Sequence, residues 1–321
     1  MEKIKIEPGT VQETLLIPLY GRKQAMDRYP DIFMDHDCQE IFSHVSFQVS
    51  DQMSGKIGKI GSIMGATRQF DMASVCRTYL KDHPKACVVN LGCGLDTTFR
   101  QVDNGQAHAY NLDFPDAIAA RNELLGDRER ETNIACDLND LSWFDQIDFR
   151  PEDGIVFFAS GVFYYFKTDD VKRLFSAMAE RFPGGKLVFD ATKKKGLKSM
   201  LKVWLKGFEM KDISVYFSVD DVAVLKGWSS HIASAQSNGY LEGYRPLDKR
   251  FGFITNMVLR HLDKSKMCQV IEIDFAFLSD GGTFPRWEAR LRRNKEKGIK
   301  EHVEGMAQRL RDERHQCLFQ R

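Results

Sequence analysis

The chain has 321 residues, a formal net charge of +1, 28% charged and 43% hydrophobic residues, enough for one large or two small soluble domains and with no electrostatic case for nucleic acid as the partner. The longest apolar run, Ile155 to Phe166, is too short for a membrane span and holds Ser160 and Gly161. Met1 to Glu7 lacks the apolar core of a signal peptide, and seven scattered cysteines without a Cys-x-x-Cys pair read as reduced thiols, so a cytoplasmic location is expected.

From Thr10 to about His83 the pattern is mostly helical. Within Leu15 to Arg22, Pro18 is expected to interrupt any helix and Gly21 to mark a turn. Thr67 to Leu80 fits an amphipathic helix, which puts Arg68 and Asp71 on one face. Asp35-His36-Asp37-Cys38 with His44 follows no standard metal-ligand spacing and reads as a polar loop. Asp82-His83-Pro84 closes the helical part, because the residue before proline leaves helical geometry.

Strands then alternate with helices. Strands are expected at Cys87–Leu91, at Ala107–Leu112 ending in Asp113, at Thr132–Cys136 ending in Asp137, at Ile155–Ala159 and at Lys186–Phe189. The clearest helix, Asp169 to Phe182, carries Val171, Leu174, Phe175, Met178, Ala179 and Phe182 on one stripe, with Thr168 as its expected N-cap and Pro183-Gly184-Gly185 beyond its end. This alternation implies a parallel sheet with right-handed crossovers. After Asp190 come Lys193-Lys194-Lys195 and two amphipathic stretches, Leu197–Phe208, read as a lid, and Val219–Trp228, read as closer to the sheet. Cys268 to Phe277 alternates as a last, antiparallel strand, and the charged stretch from Pro285 reads as a solvated helix. The expectation is one domain over 1–321: a helical cap at 10–83, a ligand-binding core at 84–192, a lid insertion at 193–230, the rest of the sheet at 231–284 and a charged tail at 285–321.

The stretch Val88 to Asp96 organises this core. A strand with two apolar faces opens into Gly92-Cys93-Gly94, where glycines permit a sharp turn and leave room for a ligand. Thr97 stands where a dinucleotide fingerprint has its third glycine. The loop therefore suits a nucleoside carrying an amino-acid arm, as in S-adenosylmethionine, better than a pyrophosphate. Cys93 reads as a small residue filling the turn. Asp113, about twenty residues on, is placed to accept hydrogen bonds from ribose hydroxyls. Asp137 and Leu138 could hold an adenine, the one by its exocyclic amine and the other by its ring face. Ser160-Gly161 after the fourth strand would permit close approach of the sulfonium end.

Together the motifs Leu15–Arg22, Arg68 with Asp71, Val88–Thr97, Leu112-Asp113-Phe114-Pro115 and Ala159–Tyr165 resemble the leucine carboxyl methyltransferase family, in the branch similar to tetracenomycin polyketide O-methyltransferases. The resemblance implies a class I S-adenosylmethionine-dependent methyltransferase fold, α/β and Rossmann-like, with a seven-stranded sheet closed by an antiparallel hairpin. It implies that Arg68 binds the methionine carboxylate. Gly92, Cys93, Gly94 and Phe114 would lie against the cofactor, Asp113 at the ribose, Asp137-Leu138 at the adenine and Ser160-Gly161 beneath the sulfonium end, with Tyr165 near the methyl group and substrate. Ser160 departs from the glutamate of many members, and Asp137 from the serine frequent in the polyketide branch.

Methyl transfer from a sulfonium to oxygen is an in-line displacement that needs alignment and exclusion of water. A carboxylate acceptor needs no base, whereas a phenol benefits from one, for which His231 is a candidate. Arg22 could steer an acidic substrate, and Tyr20 and Tyr165 could shape its pocket. The expected function is O-methylation of a small organic acid or phenol, with no metal, nucleic acid or membrane partner and no oligomeric state assigned. Methylation of a protein C-terminal carboxylate and a catalytically idle cofactor-sensing or partner-binding domain stay open as alternatives. A dinucleotide-dependent oxidoreductase fits least, given Thr97.

Overall fold

The structure is a computed structural model that describes residues 4–5, 11–46, 51–200 and 216–277. Its first helix, α1 (Val11–Arg28), runs through Pro18 and Gly21 without the expected break. Pro18 lies on the exposed side, while Leu16, Leu19 and Arg22 are buried on the other. The missing backbone donor costs one helical bond, and packing of the buried face against α3 offsets it. β1 (Ile4–Lys5) pairs in parallel with β2 (Val45–Ser46). Between them α2 (His36–His44) is capped by Asp35, which accepts from the Cys38 N–H at 3.0 Å. α3 (Asp51–Asp82) bends at Gly58, where φ is +49°, and stops just before His83-Pro84, as the sequence predicts.

The remaining strands form one seven-stranded sheet. These are β3 (Cys87–Leu91), β4 (His108–Asp113), β5 (Glu131–Ala135), β6 (Ile155–Ala159), β7 (Lys186–Thr192), β8 (Ile232–Gly239) and β9 (Cys268–Phe275), in the order β5-β4-β3-β6-β7-β9-β8. All pairs from β5 to β7 are parallel, and β9 runs antiparallel to both its neighbours. α4 (Thr98–Val102), α5 (Pro115–Leu125) and α6 (Thr168–Arg181) follow β3, β4 and β6. In α6 the predicted stripe is buried, but Thr168 is the first helical residue and Lys167 takes the cap position without a side-chain bond. The aspartates of the first turn, Asp169 and Asp170, face the positive end of the helix dipole.

Residues alternate between two cores. Val88, Val156, Phe158, Val188 and Val270 pack with α1 and α3 on one face. Val89, Leu91, Phe157, Phe189 and Ile271 face the other way, onto α6 and Trp143. The second core is aromatic: the Phe175 ring stands 4.9 Å from Phe163 and 5.1 Å from Phe189, both edge-on.

In the sheet and its connections, β8 and α9 had no signal in the pattern. β8 reads Ile-Ala-Ser-Ala-Gln-Ser-Asn-Gly, an edge strand whose polar side chains bond across to β9 through Ser234 to Asp274, Ser237 to Gln269 and Asn238 to Glu272. α9 (Phe253–Lys264) precedes β9. α7 (Lys194–Met200) covers the start of the expected lid, and the rest of Leu197–Phe208 falls largely outside the described residues, as does the charged tail from Pro285. Val219–Trp228 is helical only at α8 (Ala223–Lys226). Its approach is close to the sheet, since the Val219 N–H donates to the Thr192 carbonyl at 2.9 Å.

Phe175 is fully buried at the centre of the aromatic core. Phe175→Ala is expected to cost about 3–5 kcal/mol of folding free energy, read from the midpoint of urea denaturation.

Candidate active site

The register sets Leu91 beside both Leu112 and Ala159, and Ala159 beside Phe189. The loops after β3, β4 and β6 therefore meet at one end of the sheet, where parallel α/β sheets bind ligands. Gly92 and Gly94 leave β3 in the left-handed region, at φ +64° and +45°. A Cβ on Gly92 would sit 2.6 Å from a Val162 methyl, so glycine is required for the β3 and β6 loops to approach. The Cys93 N–H donates to the Leu112 carbonyl at 2.9 Å. Its thiol is buried and pushed up to about 12 by desolvation, which leaves a packing group rather than a nucleophile.

Asp113 closes the turn from the neighbouring strand. One carboxylate oxygen accepts the Gly94 N–H at 2.7 Å and the other the Phe114 N–H at 2.8 Å. Burial pushes this carboxyl above its ordinary range, and the two N–H groups pull the other way. Phe114, next in the chain, is 54% exposed and turns an apolar ring outward.

The backbone beyond the turn is clamped from two helices. Arg22 of α1 is 6% exposed and pairs with Asp96 at 2.9 Å and Asp35 at 3.5 Å. Asp96 also accepts the Thr98 N–H at 2.8 Å, at the start of α4. Arg121 of α5 donates to the carbonyls of Gly94 at 3.0 Å and Asp96 at 2.7 Å. The structure thus gives Arg22 a different task from the substrate steering expected of it: its charge is already matched by two carboxylates, and it braces the loop. Tyr20 of α1 stands half-buried and edge-on to Phe42, at 6.3 Å between ring centroids.

Arg68 of α3 arrives at the β6 loop. Its guanidinium Nη1 lies 3.1 Å from Asp190 of β7. The same carboxylate accepts the Gly161 N–H at 2.6 Å and the Tyr164 hydroxyl at 2.9 Å. Burial and the Asp190 charge raise the Tyr164 hydroxyl well above the ordinary tyrosine range. Tyr165 is 49% exposed, with Ser160 and Gly161 partly exposed beside it. Sequence reasoning missed Asp190, Tyr164, Asp96 and Arg121. Asp190 carried a usable signal, since it follows an apolar strand run just as Asp113 does.

The remaining candidates sit differently. Asp137 is exposed and accepts the Asn139 N–H at 2.9 Å, and Leu138 is buried in the core with Trp143 instead of offering an open apolar wall. Cys136 ties this loop to the site through its N–H to the Asp113 carbonyl at 2.8 Å. His231 precedes β8 at the opposite end of the sheet from the glycine turn. Its carbonyl accepts the Ala276 N–H, next to the pairing of Phe275 with Gly185. The edge strand β8, which no pattern in the sequence located, puts it there. Asp35-His36-Asp37-Cys38, expected as a polar loop, is instead the cap and first turn of α2, where Asp35 caps the helix and pairs with Arg22 and Asp37 pairs with Arg100. Asp71 makes no ion pair with Arg68. It is 1% exposed, one of its oxygens has no hydrogen-bond partner, and burial pushes it up to about 8, against the pull of Arg245 and with the repulsion of Asp263.

The model of the leucine carboxyl methyltransferase family matches residues 27–179. Tetracenomycin polyketide synthesis O-methyltransferase TcmP of Streptomyces glaucescens is 25% identical over 182 residues, which cover 56% of this chain and 66%, just under two thirds, of that relative. A crystal structure of a candidate methyltransferase from Thermobifida fusca YX superposes at a TM-score of 0.51 with 13% identity, covering 83% of this chain and 95% of that one. The shared architecture is the class I, Rossmann-like methyltransferase fold.

Asp71 generates a pH prediction. From about pH 4, where an unfolded aspartate titrates, up to its native value of about 8, the folded chain holds a proton that the unfolded chain has released. Its contribution to stability therefore falls as pH rises through that window. Asp71→Asn removes the titration, so the variant gains stability relative to the parent chain between pH 5 and pH 8, measured by urea denaturation. Parallel profiles would contradict this.

Proposed function

We propose, from the leucine carboxyl methyltransferase segment at residues 27–179, that this chain is an S-adenosylmethionine-dependent O-methyltransferase acting on a small organic molecule, with a carboxylate as the acceptor. The observation that carries the cofactor is Asp113, a carboxylate at the end of the neighbouring strand that accepts the Gly94 N–H at 2.7 Å beside the glycine turn. Each Asp113 oxygen already accepts one backbone N–H and keeps further lone-pair capacity for ribose hydroxyls. Phe114 offers its exposed ring to the base. At the other side of the turn Arg68 supplies a planar donor edge that suits the carboxylate of a methionine arm.

When bound, S-adenosylmethionine supplies a methyl group already activated on a sulfonium. The protein's part is to align the acceptor oxygen and exclude water. Tyr165, the exposed ring beside Ser160 and Gly161, borders the acceptor side. The position of His231 at the far end of the sheet supports a carboxylate over a phenol, because a carboxylate is ionised at neutral pH and needs no base. The name of the Streptomyces relative supports oxygen as the acceptor and a small molecule as substrate. The six cysteines among the described residues are free thiols, which fits a reducing, cytoplasmic setting.

Titration calorimetry with S-adenosylhomocysteine is expected to show binding that weakens roughly tenfold or more in Asp113→Ala and in Arg68→Ala. Unchanged affinity in both variants would overturn the cofactor assignment. Incubation with methyl-labelled S-adenosylmethionine and a panel of organic acids and phenols tests the acceptor. A carboxylate product is a methyl ester that releases its label in alkali, whereas an alkali-stable product would point to a hydroxyl acceptor.

A further inference from the structure

We infer that Asp190 is a positioning residue that sets Arg68 for the amino-acid arm of the cofactor, and so makes this site discriminate between nucleosides with and without that arm. The inference rests on the cofactor reading above and adds to it the group that gives Arg68 its aim. Asp190 itself is 2% exposed, and donors from separate elements occupy both its oxygens: the Gly161 N–H, the Tyr164 hydroxyl and Arg68 Nη1. It is therefore closed to a ligand and acts through the arginine.

The geometry explains why one contact suffices. A guanidinium is planar, so fixing Nη1 and the direction of the side chain fixes where the other donors point. Among the described residues Arg68 makes its ion pair through Nη1 alone, and its side chain is 21% exposed against 1% for Asp190. The donors away from Asp190 are thus the ones a ligand can reach. Gly161 lets the loop approach the arginine closely: its φ is +77°, and a Cβ there would lie 3.0 Å from Arg68 Nη1. The carboxylate that balances Arg68 comes from β7, the strand next to β6. Asp190 also bonds the Gly161 backbone at 2.6 Å, which couples the aim of the arginine to the placement of the loop beneath the arm. Tyr164 completes the set by holding the carboxylate from a third direction.

The test compares two probes on the full chain by calorimetry: S-adenosylhomocysteine, which has the amino-acid arm, and 5′-methylthioadenosine, which lacks it. In Asp190→Asn, affinity for S-adenosylhomocysteine is expected to fall roughly tenfold or more while affinity for methylthioadenosine changes by less than about twofold. Asp113→Ala, at the ribose, weakens both probes alike. Equal losses for the two probes in Asp190→Asn, or no loss, would overturn the inference. Should Asp190→Asn not fold, Tyr164→Phe decides: a smaller loss confined to the armed probe supports the inference, and an equal loss or none overturns it. A parent chain that binds neither probe overturns the cofactor reading and this inference with it. A parent chain that binds both equally leaves the nucleoside site standing and overturns this inference alone.

Discussion

Arginines matched by carboxylates or carbonyls hold the loops at the glycine-turn end of the sheet, and Arg22 and Arg121 can be buried only because such partners meet them. Arg22 reaches Asp96 and Asp35, Arg121 reaches the carbonyls of Gly94 and Asp96, and Arg68 reaches Asp190. Removing one member of such a pair typically leaves an uncompensated charge at a cost of about 3–5 kcal/mol. The glycine turn could otherwise adopt many shapes, since glycine is the residue most free to do so. Arg22 and Arg121, each from a helix outside the turn, restrict it to one. The price is paid in buried charge, and the return is a preformed cradle with little left to organise when a ligand arrives.

That arrangement explains the departures from the expected roles. A buried guanidinium with two carboxylates around it serves the fold, so Arg22 braces where it could have steered. Arg68 differs because its carboxylate meets one nitrogen and its side chain keeps an open side. A common residue type thus takes two tasks at one site, divided by how many partners and how much solvent each copy has.

Much of the fold was legible because parallel strands buried on both faces leave continuous apolar runs. Cys87–Leu91 and Ile155–Ala159 lie where the pattern put them, and α6 buries the stripe that its spacing announced. β8 escaped because an edge strand with polar cross-strand bonds has neither a run nor an alternation to read. Pro18 misled for the opposite reason: the local rule was sound, and tertiary packing of Leu16 and Leu19 overrode it. In the site, the glycines and Asp113 were legible since turn chemistry and strand-end position are local. The partners of Arg68 were not, because Asp190 lies 122 residues away in the chain. Only the sheet order, which places β7 next to β6, brings them together.

The central claim is that the turn at Gly92 receives an adenosyl ligand with its sugar on Asp113 and its amino-acid carboxylate on Arg68. A crystal structure of the chain with S-adenosylhomocysteine tests it most directly. The account predicts ribose hydroxyls within hydrogen-bond distance of the Asp113 carboxylate and the ligand carboxylate on the donors of Arg68 that Asp190 leaves open. A ligand seated away from both residues, or a turn closed over by side chains in the complex, would contradict it.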